Sequence, residues 1–184
     1  MIIGITGTDG AGKGAAVNYL LRAHGFIHYS SREEIEYEIR SRGLTPDRQT
    51  LRLVANDLRA TEGRDVLVTR ALERIQNDGV IDAVIESIRA LAEAETLQQA
   101  GGILLAVDAE PKERYRRISG RKSATDMVSY EEFLAQEQIE MNDPDPNGMQ
   151  KAAVMEQADY TIQNNGSLRE LQEQLDAFLE TYAR

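Results

Sequence analysis

Short apolar runs alternate with amphipathic stretches along the whole chain. Ile2, Ile3 and Ile5 form the first run, and Val17, Leu20 and Leu21 follow at helical spacing. Phe26-Ile27-His28-Tyr29 has the aromatic, β-branched character of a strand, and Ser30-Ser31 can cap the helix read from Arg32 to Arg42. Gly43-Leu44-Thr45-Pro46 stops that helix. Two more follow, over Arg48 to Glu62 with Leu51, Val54 and Leu58 as the apolar stripe, and over Val66 to Ile75. Ala83-Val84-Ile85 and Ile103 to Val107 show no polar alternation, as expected of strands buried on both faces. Between them lies a helix from Leu91 to Gln99, broken at Gly101-Gly102. Pro111 suits the first position of another helix, and Ser129 with Glu132 makes a capping box for one reaching about Glu140. A short helix, about Gln150 to Gln157, leads to the strand Tyr160-Thr161-Ile162. Ser167 with Glu170 starts the last helix, striped by Leu168, Leu171, Leu175, Phe178 and Tyr182. Five strands alternating with helices predict an α/β protein, a parallel sheet covered on both faces and joined by right-handed crossovers.

Such a sheet collects its ligands at the carboxyl ends of the strands. The loop after the first strand reads Gly7-Thr8-Asp9-Gly10-Ala11-Gly12-Lys13-Gly14. Strand, glycine loop and helix in that order form a P-loop, whose backbone N–H groups turn inward around phosphate while a helix N-terminus adds its positive dipole end. Lys13 is placed to reach the β- and γ-phosphates. The usual magnesium-binding hydroxyl is missing, because the chain has Gly14 and then Ala15. Ser30, Ser31, Glu86 and the Asn164-Asn165 loop fall at the same sheet edge. Arg114, Arg117 and Arg121 recur at helical spacing, and Arg48, Arg52 and Arg59 gather beside the stripe of their helix. A solvated basic face remains an alternative for both groups.

Composition narrows the choice of partners. The 184 residues, 41% of them apolar, suffice for one sizeable core, so a single domain spanning 1–184 is expected. With 21 basic and 31 acidic side chains the net charge is −10, which argues against general binding of nucleic acid or membrane surfaces. Any anionic ligand must then be held by locally placed cations. There is no Cys and there are only two His, His24 and His28, so disulfides and thiolate or His-rich metal sites are excluded. No basic region followed by an apolar segment opens the chain, and a cytoplasmic protein is the expectation.

The order of these motifs resembles the nucleoside monophosphate kinase branch of the P-loop kinases over essentially the whole length. Arg117-Ile118-Ser119-Gly120-Arg121 is similar to the segment that begins the adenylate kinase lid. Ala158 to Ile162 with Asn165-Gly166-Ser167-Leu168 is similar to the C-terminal strand and loop of dephospho-CoA kinases, where the loop lies near adenine. Val54 to Arg59, Glu86 to Arg89 and this C-terminus together resemble archaeal-type adenylate-kinase-related and dephospho-CoA-kinase-like proteins, and the kinase-like domain of some deoxycytidylate deaminases. The resemblance implies a three-layer P-loop kinase sandwich with a monophosphate-binding region at about 30–76 and a short lid at about 117–130.

It also implies roles. ATP phosphates would rest on Gly7, Asp9, Gly10, Ala11, Gly12, Lys13, Gly14 and Ala15, with Arg117, Arg121, Asn164 and Asn165 around the nucleotide. Ser30, Ser31, Arg59 and Arg89 would bind the acceptor, and Glu86 would hold Mg2+ through water. Lys13, Arg117 and Arg121 would then stabilise charge on the transferring phosphoryl, with Asp9 a candidate base if the acceptor is a hydroxyl. The expected activity is ATP-dependent phosphoryl transfer to a small nucleotide, most simply a (deoxy)nucleoside monophosphate, by a monomer or homodimer. Two alternatives stay open. One is a dephospho-CoA kinase, and the other a nucleotide-binding regulatory protein with little turnover, suggested by Gly14 and Ala15.

Overall fold

The computed structural model describes residues 1–120, 128–145 and 148–182. Five strands form one parallel sheet in the order β2-β3-β1-β4-β5, with β1 at Ile2–Gly7, β2 at Ile27–Ser30, β3 at Ala83–Glu86, β4 at Ile103–Asp108 and β5 at Tyr160–Gln163. Successive residues of a strand point to opposite faces, so each central strand feeds two cores. Ile3, Ile5, Val84, Leu105 and Val107 face one side, where helices α1 (Lys13–His24) and α9 (Leu168–Tyr182) bring Val17, Leu20, Leu171, Leu175 and Phe178. Ala83, Ile85 and Leu104 face the other. There α4 (Val66–Asp78), α5 (Leu91–Gln99) and α8 (Lys151–Glu156) contribute Val68, Ala71, Ile75, Ala94, Leu97 and Val154. The expected three-layer α/β sandwich is therefore the fold observed.

A satellite core stands beside the sheet. Helices α2 (Ser31–Ser41) and α3 (Arg48–Glu62) pack Ile35, Ile39, Val54, Ala55 and Leu58 onto Val66 and Leu67 of α4. This places the 30–76 region over the carboxyl edge of β2 and β3. Helices α6 (Pro111–Gly120) and α7 (Tyr130–Met141) flank the opposite end of that edge, and half of the expected lid, including Arg121, lies outside the described residues.

Local chemistry accounts for most element boundaries. Ser30 accepts a hydrogen bond from Glu33 N, so it both ends β2 and caps α2. Phe26, read as the first strand residue, turns into the core instead, and β2 starts at Ile27. Both serine capping boxes form, Ser129 with Glu132 and Ser167 with Glu170. The stripe of α9 begins one turn later than expected. Leu168 is exposed, and burial starts at Leu171.

Candidate active site

Two adjacent parallel strands whose connections leave in opposite directions open a crevice between them. Here they are β1, which leads towards β2, and β4, which leads towards β5. Thr8, the first loop residue after β1, donates to Asp108 Oδ1 at the end of β4 (2.5 Å), which closes the floor of that crevice. The glycine loop then rises from it. Gly7 has φ of 133°, and a Cβ there would meet the Val107 carbonyl oxygen at 2.0 Å. Gly12 is left-handed at φ 102°, and a Cβ would lie 2.3 Å from Asn164 Nδ2, which donates to the Ala11 carbonyl at 2.6 Å. Glycine is required at both positions. Helix α1 starts at Lys13 with no side-chain cap and no acidic residue in its first turn, so its positive dipole end faces the loop without a competing carboxylate of its own.

Lys13 folds back over the loop. Its Nζ donates to the carbonyls of Gly7 (3.0 Å) and Thr8 (2.8 Å) and lies 3.7 Å from Asp9 Oδ1. Burial lowers its pKa from the ordinary lysine value to about 8, and the Asp9 charge only partly offsets this. The Asp9 carboxylate lies among cations. Lys151 Nζ, on α8, donates to Asp9 Oδ1 at 3.2 Å and also bonds Glu140. Desolvation raises the Asp9 pKa, but Lys151, Lys13 and Arg89 outweigh it and hold the carboxyl well below its usual range. Asp9 is thus no mere turn residue bonded to its own backbone. Lys151 is buried and belongs to none of the sequence motifs. Its signal was there: it shares a helix face, three residues on, with the core residue Val154.

Glu86 ends β3 and bonds His28 of β2 (Oε2 to Nε2, 3.1 Å). That hydrogen bond raises the His28 pKa and lowers that of Glu86. His28, expected to be a structural strand residue, therefore orients the carboxylate at this edge. Arg89 lies three residues further on. Among the described residues no carboxylate comes within ion-pair distance of it, and its guanidinium meets only the thioether of Met149, at 3.8 Å. Ser31 is buried with its hydroxyl unpartnered, whereas the Ser30 hydroxyl is used as a cap.

Arg59 does not stand where the sequence pattern put it. It is buried, and its Nε and Nη2 bond Glu93 Oε1 at 3.0 and 2.8 Å. A guanidinium in the interior is costly without a carboxylate partner, so the pair ties α3 to α5, and the Arg59 contact is with Glu93 rather than with open space at the sheet edge. Arg52, earlier on the same helix, bonds Asp143 at 3.0 Å.

Arg114 and Arg117 have separate roles. Arg114 is buried and clamps the scaffold, donating to the carbonyls of Ala109 (2.7 Å) and Asp9 (3.3 Å) and pairing with Glu137 of α7. Arg117 reaches the Ala11 carbonyl at 3.3 Å and the Gly166 carbonyl at 3.5 Å, which places it between the glycine loop and the loop after β5. Asn165 in that second loop accepts from Glu110 N at 2.7 Å.

The loop fits a polyphosphate: glycine where any Cβ would clash, a helix N-terminus with no competing carboxylate of its own, and a lysine bent over the rim. It fits a metal ion less completely. A Cβ on Gly14 would meet nothing within 4 Å, so the usual hydroxyl position is open space, and the described residues contain no cluster of three His, Asp or Glu that could hold a metal ion alone.

Sheet order and loop define a P-loop nucleotide-binding domain with the kinase-type fold. Solved structures agree on the architecture. TT1252 from Thermus thermophilus is 27% identical with a TM-score of 0.60, covering 100% of this chain and 98% of that one. Shikimate kinase from Bacteroides thetaiotaomicron has a TM-score of 0.64 at 16% identity, each chain covered to 98%, and shows the fold alone. The sequence profile of the AAA domain family matches residues 3–141. The UPF0200 protein of Methanothermobacter thermautotrophicus is 30% identical over 185 residues, covering 100% of this chain and 91% of that one, and that of Pyrobaculum aerophilum 29% over 181 residues, covering 97% and 96%. The chain belongs to the AAA domain family, and it belongs with the UPF0200 proteins. Among the described residues no helix is long and apolar enough to cross a membrane.

Proposed function

We propose that the protein transfers the γ-phosphoryl group of ATP to a small acceptor that already carries an anionic group, most simply a (deoxy)nucleoside monophosphate. The observation that carries this reading is Arg89. In a chain with ten more acidic than basic residues, a half-buried guanidinium at the sheet edge meets a thioether and no carboxylate among the described residues. Arginine in that state is a ready fork for phosphate oxygens. The Ser31 hydroxyl, buried and unpartnered at the start of α2, is a further donor in the region read as acceptor-binding.

Catalysis of this kind is alignment and charge stabilisation. The glycine loop and Lys13 would grip the β- and γ-phosphates, Arg117 would approach from the opposite rim, and Arg89 would set the acceptor in line. Magnesium, bound with the nucleotide, would neutralise further charge between the phosphates. A phosphate acceptor needs no base. That suits Asp9, whose carboxyl the neighbouring cations hold too acidic to take a proton efficiently.

A hydroxyl acceptor, as in dephospho-CoA kinases, is the second reading. It is favoured by the Glu86 carboxylate, which His28 orients at the acceptor edge. The deciding experiment is ADP formation from ATP and Mg2+ with a panel of ribo- and deoxynucleoside monophosphates and dephospho-CoA, with Lys13→Ala as control. Lys13-dependent turnover with monophosphates supports the first reading and turnover with dephospho-CoA alone the second. Nucleotide binding without turnover on any acceptor would favour a regulatory protein.

A further inference from the structure

Lys151 and Lys13 reach the same oxygen from separate elements, α8 and α1. Asp9 Oδ1 lies 3.2 Å from Lys151 Nζ and 3.7 Å from Lys13 Nζ. Lys151 is 4% exposed, on a helix that shares none of the P-loop's local sequence. Burying an ammonium is costly unless carboxylates surround it, and two do, Asp9 and Glu140. The start of its helix is also fixed to the acceptor side, because Gln150 N donates to the Arg89 carbonyl at 2.8 Å. Lysine at this position also fills a gap in the sequence. Between Lys122 and Lys151 the chain has no Lys or Arg at all, and none follows until Arg169.

We propose that Lys151 is a second ammonium ligand of the γ-phosphate, and that the Asp9 carboxylate occupies the space between the two lysines until nucleotide arrives. The proposal rests on the phosphoryl-transfer reading. A carboxylate bridging two ammoniums has the local geometry of a phosphate oxygen doing the same, but carries less charge and fewer acceptor atoms. The γ-phosphate would take over both lysines, while Asp9, whose side chain is 42% exposed, turns outward to solvent. During transfer an acceptor oxygen forms the new P–O bond, the bond from the γ-phosphorus to the β,γ-bridging oxygen breaks, and that electron pair leaves on ADP. Lys151 keeps its proton throughout. Its contribution is to spread the charge on the phosphoryl oxygens, which have one lysine in the glycine loop and a second from α8.

Titration calorimetry with Mg2+-ADP and with Mg2+ and the imido analogue of ATP tests this without knowledge of the acceptor. Lys151→Met is expected to leave ADP affinity within about threefold and to weaken the imido analogue by about tenfold or more. Lys151→Arg should recover part of that loss. Asp9→Asn, which empties the space of competing charge, should tighten the imido analogue by more than it tightens ADP, whose β-phosphate gains from Lys13 alone. Because Lys151→Met takes an ammonium away from two carboxylates, Lys151→Met with Glu140→Gln is measured alongside, with thermal melting to show that both variants fold. Equal losses for the two nucleotides, or none, would overturn the role of Lys151, and unchanged or weaker analogue binding by Asp9→Asn would overturn that of Asp9. Failure of the unmodified protein to bind either nucleotide would instead remove the phosphoryl-transfer reading itself.

Discussion

Arg59 and Glu93 are an ion pair sealed in the interior, with relative exposures of 4% and 0%. The pair reaches the site through its second oxygen. While Oε1 takes Arg59, Oε2 accepts from the backbone N–H groups of Arg89 (2.9 Å) and Ala90 (3.1 Å), fixing the turn that presents Arg89 and opening α5. Arg59 is thus a positioning residue for an acceptor-side arginine. Removing it strands a buried carboxylate, so Arg59→Met should lower unfolding free energy by about 3–5 kcal/mol. Arg59→Met with Glu93→Gln removes the stranded charge and keeps an acceptor for the two N–H groups. Urea denaturation should show that double variant recovering much of the loss. If the single variant were as stable as the parent, the pair would have no structural weight.

Lys13 makes nucleotide binding depend on pH. Its folded-state pKa of about 8 lies below the ordinary lysine value of 10.5, so the free protein loses this charge as pH rises through 8. A bound polyphosphate favours the charged form and raises the pKa again. Binding must therefore take up protons near pH 8 and weaken as pH rises further. Below about pH 7 Lys13 is charged in both states and no such uptake occurs. Calorimetry in two buffers of different ionisation enthalpy should detect uptake of about half a proton at pH 8. Lys13→Ala should abolish it. Uptake unchanged in that variant would assign the effect to another group.

Stability responds to the same shift in the opposite sense. Between about pH 8 and 10.5 the unfolded chain holds more protons at Lys13 than the folded one, so this residue makes the nucleotide-free protein more stable as pH rises across that window. Chemical denaturation at pH 7.5 and 10, compared with Lys13→Met, isolates the contribution. The parent should gain on the variant at the higher pH, and parallel behaviour would contradict a depressed Lys13.

Legibility in the sequence followed how local each cause is. The glycine loop was readable because its backbone leaves no room for a Cβ at Gly7 or Gly12, and Ile103 to Val107 because a strand buried on both faces has no polar alternation. Helix starts at Ser129 and Ser167 followed from side-chain bonds three residues long. Arg59 was misplaced because its partner Glu93 lies 34 residues on, across a helix packing that periodicity does not specify. Lys151 was overlooked because its partner Asp9 is 142 residues away and a single lysine on a short helix carries no motif of its own.

Gly14 offers a gain-of-function test. It occupies the second position of α1, with open space where a Cβ would stand and no left-handed φ, so a side chain fits. Gly14→Ser should fold normally, gain about 0.5–1 kcal/mol from reduced backbone freedom, and present a hydroxyl to the metal. The Mg2+ concentration needed for half-maximal nucleotide binding should fall several-fold. Ala15→Thr is the companion variant. An unchanged Mg2+ requirement in Gly14→Ser would mean that Glu86 and the phosphates already satisfy the metal.

Ser87 follows Glu86 at the end of β3 and adopts φ of 75°, the one positive φ at a residue other than glycine among those described. A left-handed conformation costs a residue with a Cβ about 1–2 kcal/mol. The turn holds it there because Ile88 N donates to the Ile5 carbonyl at 3.1 Å and Glu93 caps the next two residues. Strain therefore sits directly between the carboxylate of Glu86 and the guanidinium of Arg89. Ser87→Gly relieves the strain but frees the unfolded chain, so its net effect should be stabilising by at most about 1 kcal/mol. Ser87→Val, with a branched Cβ, should destabilise by about 2 kcal/mol or more. If this backbone strain sets the geometry of Arg89, Ser87→Gly should also raise KM for the acceptor while leaving that for ATP unchanged, as steady-state kinetics with each substrate varied in turn would show. Equal stability of the glycine and valine variants would mean that the turn relaxes to an ordinary conformation at no cost.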